Sequence, residues 1–247
     1  MATRLHIGAR ELRGELAAYA KRFDYLEVRG LDAQNLRLAP STATLKRWRK
    51  AVPPQFEFGV VAGPNLSALR PGSALDTELE AMLATATTLE ARVLLIQTPP
   101  SVTPGKLWRD RLAGVLDRLR SEVTTLVWEP TGLWELDEAA AQAKKWGVTL
   151  AVDPARDEVP AGSVSYGRLR AIGGTRAFST AALERIAAKI GERRDAYVII
   201  ETTSALKEGK TLRGLLRGTS SKKRGGLGRL IRPRGAPLNV RDDEQEE

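Results

Sequence analysis

Six short apolar runs in this 247-residue chain end in side chains able to do chemistry. Residues 26–28 carry Glu27 and lead to Arg29; residues 93–97 end at Gln97; Glu129 follows 123–128 and Asp153 follows 148–152. Arg168 and Arg170 close the run beginning at 164, and Glu201 follows 197–200. Carboxylates can share acid and base work when their surroundings split their pKa values. Guanidinium forks match carboxylate or phosphate. On these grounds Glu27, Glu129 and Asp153 are the candidate catalytic groups. Arg29, Gln97 and Arg168 are candidate contacts to a small anionic ligand. The competing reading is structural, since polar residues end most strands and Arg–Glu pairs stitch barrel rims.

Other chemistries find little support in the sequence. There is no cysteine, hence no disulfide framework and no thiolate. His6 is the one histidine, and no D-x-D or H-x-x-x-H spacing suggests a metal, so none is expected. A Ser–His–Asp system would need His6 and lacks a G-x-S-x-G elbow. Gly173-Gly174 before Arg176 and a helix capped by Ser179 offers a weak phosphate-turn signal, for which a plain loop is the simpler account. No cofactor is implied. The first residues lack a secretory h-region and no apolar run approaches a membrane span, so a cytoplasmic protein without a membrane partner is expected. The sequence leaves the oligomeric state open.

The elements that must position these side chains alternate. Residues 24–62 read as strand, loop, helix, strand, with Ser41 as N-cap and Pro53-Pro54 as stop. That is a βαβ unit, which demands parallel pairing. Further strands are expected at 4–8, 93–97, 123–128, 148–152, 164–169 and 197–200. Helices are expected over 10–22, behind a Thr77/Glu80 capping box, after Thr103-Pro104, after Glu135, after Ser179 and over 202–216. Residues 154–163 carry no helical pattern, so the crossover between strands six and seven is reduced. Eight strands in about 215 residues favour a TIM-barrel-like parallel (β/α) barrel over an open doubly wound sheet. In such a barrel all the strand ends named above meet at one mouth.

Several stretches resemble one family in order. These are Glu27, the L-A-P-S segment at 38–41, the helix with Arg47-Trp48, the F-E-F strand at 56–58, LLIQTPP at 94–100, VWEPTGLW at 127–134 and YGRLR at 166–170. Together they resemble the YecE-like family (domain of unknown function 72) over about residues 20–205. The resemblance implies a TIM-barrel-like fold and adds Tyr166 to the ligand-binding candidates. The family's Arg and His after the strand-five Glu stand here as Thr131 and Gly132, so the chain is similar to a divergent member. A barrel that binds or processes a small anion and a catalytically silent scaffold both remain open.

The charge is uneven. Residues 1–204 hold 28 Lys+Arg against 24 Asp+Glu, while residues 207–234 hold ten bases and one acid, Glu208. The barrel is therefore expected to span 1–218. Residues 219–247 read as a disordered tail, basic and then acidic. Lys222, Lys223, Arg224, Arg229, Arg232 and Arg234 would let it bind nucleic acid through counter-ion release. No aromatic lies in the tail to stack on bases, and a solvated extension is the alternative.

Overall fold

A computed structural model describes residues 3–12, 14–29, 40–122, 124–170 and 177–225, with side chains as far as 217. Its strands are β1 (Arg4–Ala9), β2 (Tyr25–Arg29), β3 (Glu57–Val61), β4 (Val93–Thr98), β5 (Thr125–Pro130), β6 (Thr149–Val152), β7 (Val164–Leu169) and β8 (Asp195–Ile200). The helices are α1 (Leu16–Ala20), α2 (Thr42–Ala51), α3 (Pro64–Ser67), α4 (Ser73–Leu89), α5 (Lys106–Leu119), α6 (Leu136–Trp146), α7 (Thr180–Ile190) and α8 (Ala205–Gly225).

All pairings are parallel, in the order β1-β8-β7-β6-β5-β4-β3-β2. The two ends of that order, β1 and β2, meet across a seam, and the barrel is nearly closed. Asp24 N–H donates to Ile7 O at 2.9 Å there. The Tyr19 hydroxyl bridges the same seam, accepting from Ala9 N–H (2.8 Å) and donating to Tyr25 O (2.9 Å). Gly8 permits the approach, because a Cβ at that position would lie 2.8 Å from Tyr25 O.

Local chemistry explains several element ends. Ser41 and Ser179 cap α2 and α7 as expected, accepting from Thr44 N–H and Ala182 N–H. Gly147 ends α6 in the left-handed region (φ 67°), behind Lys144 and Lys145 in the last turn. No helix lies between β6 and β7, in agreement with the pattern at 154–163.

Three local expectations are corrected. Helix α1 starts at Leu16 rather than near Arg10, since Gly14 sits at φ +75° and turns the chain first. Helix α4 starts at Ser73 behind Gly72, so Thr77 and Glu80 lie inside it and form no capping box. Nearby Glu78 caps α3 instead, accepting from Leu66 N–H (2.8 Å) and the Asn65 amide (2.7 Å). Helix α5 is preceded by Gly105, not Thr103. Val123 lies outside the described residues. The last helix continues to Gly225, past the composition change at Gly218.

Alternation sends one face of each strand inward and the other to the helices. Two apolar clusters fill the sheet–helix layer. One centres on Ile7, Phe58, Ile186 and Leu212, the other on Leu94, Ile96, Leu116 and Trp128. A third, smaller cluster fills the barrel interior with Tyr25, Val61, Leu95, Val127, Tyr166, Tyr197 and Ile199. The hydroxyls of its three tyrosines cannot stay unpaired in such a place, and their partners lead to the site.

Candidate mouth site at the C-terminal ends of the strands

Tyr25, Tyr166 and Tyr197 form a layer across the barrel, with ring centroids 5.1 to 6.2 Å apart. Gly59 makes room for it, since a Cβ there would lie 1.7 Å from the Tyr25 hydroxyl. Tyr197 points its hydroxyl toward the N-terminal end and donates to Glu57 (2.9 Å). Tyr166 points the other way and donates to Glu27, with the Tyr25 hydroxyl 3.3 Å away. Burial, and then the Glu27 charge, push the Tyr166 phenol well up, so it stays a proton donor.

Above this layer Arg168 is the centre. Its guanidinium forks onto Glu27, at 2.5 and 3.2 Å, and reaches Glu129 through Nε (3.1 Å) and Glu201 through Nη1 (2.9 Å). Only 3% of the residue is exposed. Burial alone would lower its pKa, but the Glu27 and Glu129 charges reverse that and keep it charged. The β4–β5 register places Gln97 beside Glu129, and the Gln97 amide donates to that carboxylate at 2.7 Å. Arg29 donates in turn to Gln97 (3.1 Å), and Arg170 pairs with Glu129 and reaches Glu201 at 3.6 Å. Burial pushes the Glu129 carboxyl up; Arg168, Arg170 and Gln97 more than offset this and hold it below the usual carboxylate range.

A cavity of about 390 Å³ opens over this floor, lined by Arg10, Glu11, Glu27, Arg29, Gln97, Arg168, Arg170 and Glu201. Four arginines face three glutamates there. Of the residues singled out in the sequence, Glu27, Arg29, Gln97 and Arg168 therefore share one mouth, with Glu129 and Tyr166 bonded directly beneath it. Arg170 and Glu201 join them. Arg10 and Glu11 fall within the stretch expected to be helical, and Gly14, by delaying that helix to Leu16, leaves them on the mouth wall.

Asp153 does not share that cavity. It lines an adjacent one together with Glu129 and Arg170. Its Oδ1 accepts from Ala155 N–H at 3.0 Å. Burial pushes its carboxyl up, only partly opposed by the Ala155 and Arg170 backbone N–H groups.

No group of His, Asp and Glu side chains among the described residues is arranged to hold a metal ion. A guanidinium occupies the centre of the three mouth carboxylates. The Gly173-Gly174 and Arg176 turn lies outside the described residues, as do Arg229, Arg232 and Arg234. Lys222, Lys223 and Arg224 fall on α8, beyond the described side chains. No helix among the described residues is long and apolar enough to cross a membrane.

The family model described as "Protein of unknown function DUF72" matches residues 7–225. The chain belongs to this DUF72 family. The resemblance read from the ordered motifs is thereby borne out. Among solved structures, a DUF72 family protein from Enterococcus faecalis V583 is similar at 14% identity and a TM-score of 0.69, over 87% of this chain and 98% of that one. A DUF72 family protein from Thermotoga maritima MSB8 is similar at 14% identity and a TM-score of 0.56, over 89% and 99%. A xylose isomerase domain containing protein from Salmonella typhimurium LT2 matches at 14% identity and a TM-score of 0.56, over 89% and 97%. At such identities the likeness carries the barrel and not its chemistry. No curated protein matches this chain.

Proposed function

We propose that the mouth of this DUF72 barrel binds a small oxyanion, with Arg29 and Arg170 as its direct contacts. The observation that carries this reading is the division of labour among the arginines. Arg168 is buried and ringed by Glu27, Glu129 and Glu201, while Arg29 is exposed and the Arg170 side chain is 45% exposed, both on the cavity wall. Glu27 and Glu129 then serve as fixed anions that hold Arg168 in place. Glu129 suits that role better than proton donation, because its neighbours keep it ionised. The floor is set before a ligand arrives, and preorganised donors lose little on binding.

The test is calorimetric titration of the full chain with inorganic phosphate at low ionic strength. Charged hydrogen bonds of about 1.5–3 kcal/mol predict roughly 10- to 100-fold weaker binding in Arg170→Ala. A smaller loss is expected in Arg29→Ala, whose side chain is the more exposed. Phosphate that fails to bind, or that binds both variants as well as wild type, removes the reading.

A further inference from the structure

Arg29 is an exposed rim arginine, and a long side chain in water ordinarily samples many rotamers. Here it is held. It ends β2, yet it reaches past β3 and donates from Nη2 to Gln97 Oε1 on β4 at 3.1 Å. An amide can turn either its oxygen or its NH2 to a neighbour. At Gln97 the second neighbour decides which. The β4–β5 register sets Glu129 beside it, and Nε2 donates to Glu129 Oε2 at 2.7 Å. Glu129 also takes Arg168 and Arg170, and between them it stays ionised, so it can only accept. The Gln97 NH2 must therefore face Glu129, which leaves the oxygen for Arg29. Because the amide is uncharged, it fixes that guanidinium without neutralising it. Among the described residues no carboxylate pairs with Arg29, whereas Arg170 is paired with Glu129.

We infer that Gln97 is a positioning residue of the mouth: it serves the oxyanion through Arg29 rather than by touching it, with Glu129 as the anchor from which the amide is aimed. This rests on the mouth reading and replaces the direct ligand contact that the sequence suggested for Gln97. The amide oxygen would repel an anion, and the NH2 is turned to Glu129. What Gln97 supplies is order. A guanidinium already aimed at the cavity loses less freedom when the ligand arrives.

The experiment is a double-mutant cycle on the full chain, read by calorimetry with inorganic phosphate and by NMR relaxation of the Arg29 guanidinium without ligand. Methionine keeps the length of glutamine and removes both hydrogen bonds. Freeing one long side chain costs roughly two- to tenfold in affinity, so Gln97→Met should weaken phosphate by that much, and by no more than Arg29→Ala does. In the Arg29→Ala background the same substitution should cost nothing further. The Arg29 guanidinium should move more widely in Gln97→Met than in wild type. Gln97→Asn, one carbon too short to span both partners, is a second variant with the same expected outcome should the first fold poorly. A loss that persists in the Arg29→Ala background makes Gln97 a ligand contact and overturns the assignment. So does an Arg29 guanidinium equally ordered with and without Gln97. In both cases phosphate still binds wild type and the mouth reading stands. If phosphate does not bind wild type, the mouth reading fails and this inference with it.

Discussion

The two ends of the barrel use the same residue types in opposite ways. At the N-terminal end the acids are inside and the arginines outside. Asp195 is buried and is met by Arg4 (2.6 Å), Arg194 (2.8 Å) and His6 (3.5 Å). Glu57 is met by Arg92 at 3.4 Å and by the Tyr197 hydroxyl. Arg4, Arg92 and Arg194 are each half or more exposed in their side chains. At the C-terminal end the arginine is inside, and three glutamates close round it. The lower end is a seal whose cations already touch water. The upper end is a fixed array whose central cation does not, and only there would ligand charge find donors set in advance.

Removing a cation from each end should separate the two most sharply. Arg168→Met would leave buried Glu129, and the half-buried Glu27 and Glu201, with their main counter-charge gone. Breaking a buried ionic network in this way costs about 3–5 kcal/mol. Arg4→Met at the seal exposes Asp195 to water and to Arg194, and exposed pairs contribute about 0–1 kcal/mol. Urea unfolding of the two variants beside wild type measures both. Equal losses, or a larger one for Arg4→Met, would erase the distinction between array and seal.

The seam between β1 and β2 runs from one end to the other, and one hydroxyl bridges it. Tyr19→Phe keeps the ring packing against Phe23 and Phe56 but strips Ala9 N–H and Tyr25 O of their shared partner. Buried backbone groups left this way cost about 1–3 kcal/mol. Because Ala9 leads into Arg10 on the mouth wall, phosphate affinity should weaken along with urea stability. An Arg10 rim indifferent to the seam would show unchanged affinity at reduced stability, which would sharpen the boundary of the array.

How much of this was legible beforehand differs by level. The barrel was, because apolar runs of strand length alternate with helical patterns, and parallel strands deliver their ends to one face. The gathering of Glu27, Gln97 and Arg168 at one mouth follows from that rule alone. The centrality of Arg168 was not legible, since nothing in the order of the residues says which of several arginines will be buried. That depends on how far each side chain reaches over the tyrosine layer. Asp153 was placed with the others because it too ends a strand. With no crossover helix after β6, the chain turns at once, and the side chain accepts from Ala155 N–H within that turn. Thr77 and Thr103 show local capping signals overruled by packing, with Glu78 turned to α3 and Gly105 taking the cap. The identity of a ligand has no local code at all, being a property of a cavity wall drawn from five strands.

Acid titration distinguishes the ends by a smaller effect. Glu129 above and Asp195 below both sit under the usual carboxylate range, burial being more than offset by arginines in each case. A carboxyl depressed in the fold adds stability that is present above its unfolded pKa of about 4 and is lost as pH falls through the folded value. Glu129→Gln and Asp195→Asn should each flatten the acid side of the stability curve. Asp153 is raised, so its proton is favoured in the fold and its contribution declines as pH rises through that window. Asp153→Asn should therefore steepen the acid side. Salt then separates top from bottom. The exposed arginines around Asp195 are screened within a Debye length of about 4–5 Å at 0.5 M, whereas buried Arg168 is screened far less. The Asp195→Asn difference should shrink in 0.5 M NaCl while the Glu129→Gln difference persists. Equal screening at both ends would mean that water reaches the array as freely as it reaches the seal.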